Sequence, residues 1–296
     1  MNRIIDDFIG QFKQGSMMIK LLFINILVFL AVQVVLLFFF FLGMHGENFI
    51  IQYLALPASL NELIYKPWTV ISYMFLHEGF LHILFNMLWF WWFGKIFLTV
   101  FSNRQLLNVY LLGGLVGAAF YIISYNIFPV FQSVLPLAKA LGASAAVLAV
   151  VISVSVYMPD YTIYLMFIGP VKLKYIAIFT VVFDILSIPS GNAGGHIAHL
   201  GGAAFGFWFG YQMRTTNRDI TEFLNKIFDF FKDAFKPNQK FKVHNNPYKT
   251  RSDWEYNARK NKDQKRIDEI LDKVAQSGYD SLTKEEKNIL FRSSNN

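Results

Sequence analysis

Ser144 and His199 lie in two separate apolar stretches of a 296-residue chain, one beginning Gly142-Ala143-Ser144-Ala145 and the other containing Ala198-His199-Leu200-Gly201-Gly202. At membrane depth no water solvates a hydroxyl or an imidazole, so such groups are kept where a partner, a cavity or a chemical task offsets their cost. A serine hydroxyl becomes a nucleophile when a base takes its proton, and histidine is the commonest base at neutral pH. The pair therefore points to nucleophilic catalysis within the membrane. Ser144 falls in the first turn of its helix among Gly142, Ala143, Ala145 and Ala146. Free backbone amides and the positive end of the helix dipole favour an anion there. Against this stands an ordinary reading, in which Ser144 packs or bonds back to its own helix and His199 is a hydrogen-bonded histidine on a packing face.

Gly202, Gly206 and Gly210 recur every four residues after His199. One side of that helix is then nearly bare backbone, and a neighbouring helix can approach closely enough for a side-chain hydrogen bond of ~3 Å. A third element is His77-x4-His82-x3-Asn86. His82 and Asn86 are four apart, share a helix face and offer donors that could hold an oxyanion, while His77 lies on another face. Zinc is disfavoured, because His77 and His82 are five apart and do not share a face as zincin ligands do. His196 and His199 are three apart, but the spans offer no obvious third ligand except Asp184. No metal and no cofactor are expected. Asp184, close to the end of its helix, is read as reaching interfacial water, and His196 and Glu78 as loop or rim residues.

The elements that must position these groups follow from composition. The chain is 54% hydrophobic, 18% aromatic and 16% charged, against about 25% charged residues in an ordinary soluble domain. There is no cysteine, which removes disulfides, thiolate metal sites and cysteine nucleophiles. The net charge of +7 comes from basic residues scattered among acids, not from a stripe with aromatic platforms, so nucleic acid is not an expected partner. Six segments read as membrane-spanning helices, at 21–43, 70–93, 106–126, 143–158, 171–189 and 195–213. The first is too long for the apolar region of a signal peptide and is expected to be retained.

Lys and Arg set the orientation. With a cytoplasmic N-terminus, the inner segments hold Arg3, Lys13, Lys20, Lys95, Arg104, Lys172, Lys174 and Arg214, and the outer loops only Lys66 and Lys139. Ser144 and His199 then both lie near the outer ends of their helices. The outer loop over 44–69 is apolar enough to lie in the interface.

The expected organisation is a cytoplasmic segment at 1–20, a six-span domain at 21–214, an amphipathic juxtamembrane helix at 219–236, a linker at 237–251 and a small helical module at 252–296. In that module Ser252-Asp253-Trp254-Glu255 and Thr283-Lys284-Glu285-Glu286 both fit a capping box, which implies two helices. Ile267, Ile270, Leu271 and Val274 supply one stripe, and Leu282, Ile289, Leu290 and Phe291 the facing surface. Such a short module is marginal as an independent core.

Taken in order, the six spans, the His77, His82 and Asn86 pattern, the Ser144 turn and the Ala198-His199-Leu200-Gly201-Gly202 run with Gly206 resemble the rhomboid family of intramembrane serine proteases, over about residues 15–214. The resemblance implies an all-α membrane protein with a six transmembrane helix rhomboid-like bundle. It implies Ser144 as nucleophile and His199 as base. His82, Asn86 and the Ser144 amide would form the oxyanion hole, with His77, Gly142, Gly202 and Gly206 supporting the motif. Its partners would be transmembrane protein substrates and the lipid bilayer, with cleavage near the outer face, in a bacterial cytoplasmic membrane with both termini inside. A Ser/His dyad suffices, and the sequence requires no third carboxylate. The alternative is a catalytically inactive relative that binds transmembrane segments. Two departures stand out: the serine motif continues with Ala145 in place of the usual glycine, and Leu148 occupies the place of an aromatic that in some members stacks on the catalytic histidine. The acidic residue often found after the second span also has no counterpart at Leu98-Thr99.

Overall fold

The computed structural model describes residues 10, 12, 14–43, 46–165, 168–234 and 247–293. The chain separates into two compact units, Met1–Ala234 and Phe235–Asn296. The first is an all-α membrane protein. Its principal helices are α1 (Met17–Phe41), α5 (Phe80–Val100), α6 (Asn103–Ile127), α7 (Ser144–Tyr157), α8 (Leu173–Ser187) and α9 (Ala193–Thr216), with α2 (Gly46–Leu54), α3 (Leu60–Tyr65) and α4 (Thr69–Ser72) between the first two. Helices α1, α5 and α6 and the segment Leu173–Ser190 are long and apolar enough to cross a membrane.

Helix α7 is different. Its 14 residues give about 21 Å at 1.5 Å per residue, less than the ~30 Å of a bilayer core. Every residue from Ala145 to Ser155 is buried, because α5, α6, α8 and α9 all pack against it. Helix α9 is long enough, at 24 residues, but its glycines and histidines lower its hydropathy. By contrast α1 leaves Leu30, Val34, Leu37, Phe38, Phe40 and Phe41 exposed, as a helix solvated by lipid would. Its one buried polar residue, Asn25, donates to the Leu21 carbonyl at 2.8 Å and to the Tyr110 hydroxyl at 3.1 Å, which ties α1 to α6.

The second span begins ten residues later than the sequence suggested. Residues 69–75 are apolar enough to read as helix, yet they form α4 and a 3-10 turn at Tyr73–Phe75, and the extended backbone at Gly79 starts α5 only at Phe80. His77 therefore precedes the helix and occupies none of its faces. The loop between the first two spans, read as interfacial, folds into α2 to α4 with Phe49, Tyr53, Ile64 and Trp68 exposed. A two-stranded antiparallel pair, β1 (Leu56–Pro57) with β2 (Lys139–Ala140), joins it to the approach to α7. A second pair, β3 (Thr162–Leu165) with β4 (Gly169–Lys172), links α7 to α8.

Helix α10 (Glu222–Ala234) is shorter than the 219–236 stretch read from the sequence, and residues 235–236 lie outside the described residues. It leaves Phe223, Ile227, Phe228 and Phe230 exposed, and Asp229 pairs with Arg104 at 3.2 Å. Most of the linker at 237–251, and part of the N-terminal segment, likewise lie outside the described residues.

In the second unit, α11 runs from Pro247 to Ser277 and α12 from Lys284 to Ser293. Ser252 thus sits inside α11 and not at its start: the helix begins five residues earlier, at a proline suited to a first turn. The other capping box forms, with the Glu286 amide donating to Thr283 Oγ1 at 3.3 Å and the Thr283 amide to Glu286 Oε2 at 2.8 Å. Ile270 and Leu282 are buried, whereas Leu271, read as part of the stripe, and Phe291, read as part of the facing surface, are exposed.

Candidate functional site

Ser144 opens α7, and its backbone is prepared one strand earlier. β2 ends at Ala140, and the Gly142 amide donates to the Tyr73 carbonyl at 2.9 Å. Gly142 adopts φ of 125°, a conformation that side chains disfavour. A Cβ there would also stand 2.9 Å from His82 Nε2 and 3.5 Å from Ser144 Oγ. Glycine at 142 therefore lets the His82 ring and the serine hydroxyl share one small space.

His199 comes from α9, one turn before a row of glycines. Side chains on Gly202, Gly206 or Gly210 would run into the carbonyl oxygens of Ala145, Ala149 and Ser153, each four residues apart on α7. The helices thus meet backbone to backbone. Helix α6 also approaches closely, with the bare backbone of Gly113 and Gly117 against the methyl groups of Ala149 and Ala145 on α7. The result is a hydrogen bond of 2.7 Å between His199 Nε2 and Ser144 Oγ.

The other imidazole nitrogen has a partner that the sequence did not assign. His199 Nδ1 lies 2.9 Å from Asp184 Oδ1 on α8, and His196 Nδ1 lies 2.8 Å from the same oxygen. Asp184 does not reach interfacial water as expected. It is buried, at 5% exposure, because its side chain points into the seam between α8 and α9. A lone buried carboxylate is costly, and two N–H donors offset that cost. His196 is likewise no rim residue: its ring stands edge-on to His199, with centroids 5.8 Å apart. The position expected for a stacking aromatic holds Leu148, which faces the cavity, so His199 is flanked by an imidazole from its own helix.

His82 and Asn86 sit on the first two turns of α5 and face the same cavity as Ser144 and His199. The Asn86 side-chain amide donates one N–H to the His82 carbonyl at 3.0 Å. The amides of Ser144, Ala145 and Ala146 have no carbonyl one turn earlier in α7, as at any helix start. Donors for an anion thus converge from two helices. His77 stands edge-on to His82 with ring centroids 5.1 Å apart. Its Nδ1–H donates to the Phe75 carbonyl at 3.3 Å, and its Nε2 is buried with no hydrogen-bond partner among the described residues. Burial first, and then the His82 ring, push the His77 imidazole down to about 4, against the opposing pull of the Phe75 carbonyl.

The cavity measures about 1420 Å³. Glu62, Lys66 and Lys139 line it, and both lysines reach Glu62 Oε1 at 2.8 Å. Helix α7, shorter than the bilayer core, thus presents Ser144 at its first turn to the wall of this cavity. Among the described residues one group of three donors, Asp184, His196 and His199, lies close enough together to hold a metal ion. Both imidazoles already engage the carboxylate, so a metal would have to displace those two N–H bonds.

The Rhomboid domain family matches residues 65–216, and a family of unknown function, DUF6576, matches residues 251–296. Over 145 residues the chain is 36% identical to RHOMBOID-like protein 12, mitochondrial, of Arabidopsis thaliana, covering 46% of this chain and 43% of that protein. Over 173 residues it is 29% identical to Presenilin-associated rhomboid-like protein A, mitochondrial, of Danio rerio, covering 55% and 41%. It is 26% identical over 199 residues to Rhomboid protease GlpG of Haemophilus influenzae, covering 67% and 91%. The chain thus spans less than half the length of the two mitochondrial relatives.

Proposed function

The chain belongs to the rhomboid family, and on that premise we propose that it is an intramembrane serine endopeptidase that cuts transmembrane segments of membrane proteins near the outer face. The observation that carries this reading is the 2.7 Å bond between Ser144 Oγ and His199 Nε2 on the wall of an open cavity. The hydroxyl proton passes to His199 Nε2 as Oγ bonds to the peptide carbonyl carbon. His82, Asn86 and the Ser144 amide hold the resulting anion. The C–N bond then breaks as His199 gives its proton to the leaving amine. Water attacks the acyl ester, its proton goes to His199, and the serine hydroxyl is restored. No cofactor enters these steps. The lysine and arginine bias supports a cytoplasmic N-terminus, and a C-terminus on the same side, in a bacterial inner membrane. A helical substrate must unwind at the cut, since its carbonyls are otherwise shielded.

Labelling with a serine-directed fluorophosphonate, alongside cleavage of a single-span reporter in vesicles, tests the reading. Both signals are expected in the wild type and neither in Ser144→Ala or His199→Ala. Cleavage that persists in Ser144→Ala would refute it.

A further inference from the structure

We infer that Asp184 is a positioning residue for His199, and that His196 holds Asp184 in place from the other side. The inference rests on the protease reading above and adds a carboxylate to its Ser/His pair.

The argument begins with protons. An imidazole that accepts the Ser144 proton at Nε2 must carry its own hydrogen on Nδ1. Asp184 Oδ1, at 2.9 Å, is an acceptor at that nitrogen and so favours the productive tautomer. When His199 takes the serine proton it becomes a cation, and the same oxygen stabilises that charge at hydrogen-bond distance. The carboxylate is itself fixed. His196 Nδ1–H reaches the same oxygen at 2.8 Å, and among the described residues no lysine or arginine bridges to Asp184. Its position on α8 therefore depends on the two histidines of α9, spaced one turn apart.

The test compares wild type with Asp184→Asn in the full-length protein in vesicles. An amide can present N–H to Nδ1 and stabilise the wrong tautomer, and the comparable change in a soluble Ser-His-Asp site lowers kcat about 10⁴-fold. The expectation is a fall in kcat of at least about 100-fold with KM within about threefold, and partial recovery in Asp184→Glu. The acid limb of the rate–pH profile is expected to move to lower pH in Asp184→Asn, because the cation has lost its anion. The other charged or titratable groups near His199 are His196 on α9, His82 on α5 and Glu78 before it. Glu62, Lys66 and Lys139 also line the cavity, and all of them are unchanged in this comparison.

An Asp184→Asn enzyme with wild-type kcat and an unmoved acid limb would overturn the inference, while a dead Ser144→Ala enzyme would leave the protease reading standing. Should Asp184→Asn fail to fold, ¹⁵N NMR of histidine-labelled wild type decides. His199 protonated on Nδ1 at neutral pH supports the inference, and protonation on Nε2 overturns it. Loss of wild-type cleavage on chelation, restored by zinc, would also overturn it, since the three groups would then be metal ligands.

Discussion

The carbonyl oxygen of Ala145 occupies the space in which a side chain on Gly202 would stand. Ser144 is the residue before Ala145 on α7, and His199 lies one turn before Gly202 on α9. Their separation is therefore set by a contact between two backbones.

Gly202→Ala is expected to push α7 from α9 and to lower kcat for a transmembrane reporter by about 100-fold, the scale of a 1 Å misplacement. Overpacking of this kind also costs roughly 1–3 kcal/mol of stability. Gly210→Ala meets the Ser153 carbonyl at the far end of α7 and is expected to lower stability similarly while sparing most of kcat. Cleavage rates and thermal unfolding of both variants check this, and equal loss of activity in the two would contradict it.

Gly142→Ala combines an unfavourable φ with a clash against His82. The backbone conformation costs on the order of 1–3 kcal/mol, and displacement of the His82 ring removes a donor from the anion site. A fall in kcat of about 100-fold is expected. Fluorophosphonate labelling should fall with it, since the same anion site serves that reaction.

His77 gives a pH dependence of stability. Its folded value near 4 lies below its ordinary 6.5, so between those limits the unfolded chain binds more protons than the folded one. Stability should fall as pH drops from about 6.5 towards 4, by roughly 2–3 kcal/mol. His77→Gln should flatten that part of a plot of thermal midpoint against pH. An unchanged slope would show that another group is responsible.

Glu62 acts in α3, in the loop between the first two spans. Burial raises its carboxyl, but bonds from Lys139 and Lys66 outweigh this and hold it below the ordinary 4.5. Its contribution is fully present above that ordinary value and is lost as pH falls through the lowered folded one. Glu62→Gln is expected to cost about 1 kcal/mol at neutral pH, the upper end for partly exposed pairs, and to loosen the β1–β2 connection. Limited proteolysis at residues 56–66 should quicken in the variant at pH 7 and converge with wild type in acid.

Ser144, His199, His82 and Asn86 were visible in the sequence because polar groups in apolar stretches are conspicuous, and the glycine row announced a close helix contact. Asp184 was conspicuous too, but its partners were not. A sequence fixes the phase of residues along one helix and not the rotation of α8 against α9, so the two histidine bonds had to be seen. Gly113 and Gly117 were missed for a related reason: α6 reads as generically apolar, and only its packing shows that α7 is approached by backbone from a second side. The start of α5 was misjudged because Thr69–Phe75 has the composition of a span, while the break is made by the backbone at Gly79. Ser252 imitated a cap by chance of spacing inside a longer helix.

Backbone contacts have no rotamers to freeze. Where Gly202, Gly206 and Gly210 meet α7, the two helices associate without immobilising long side chains, which matters in lipid, where apolar burial gives little drive to associate. The backbones that carry Ser144 and His199 therefore come apart only as the helices themselves separate, and on heating loss of activity should track loss of the α7–α9 contact.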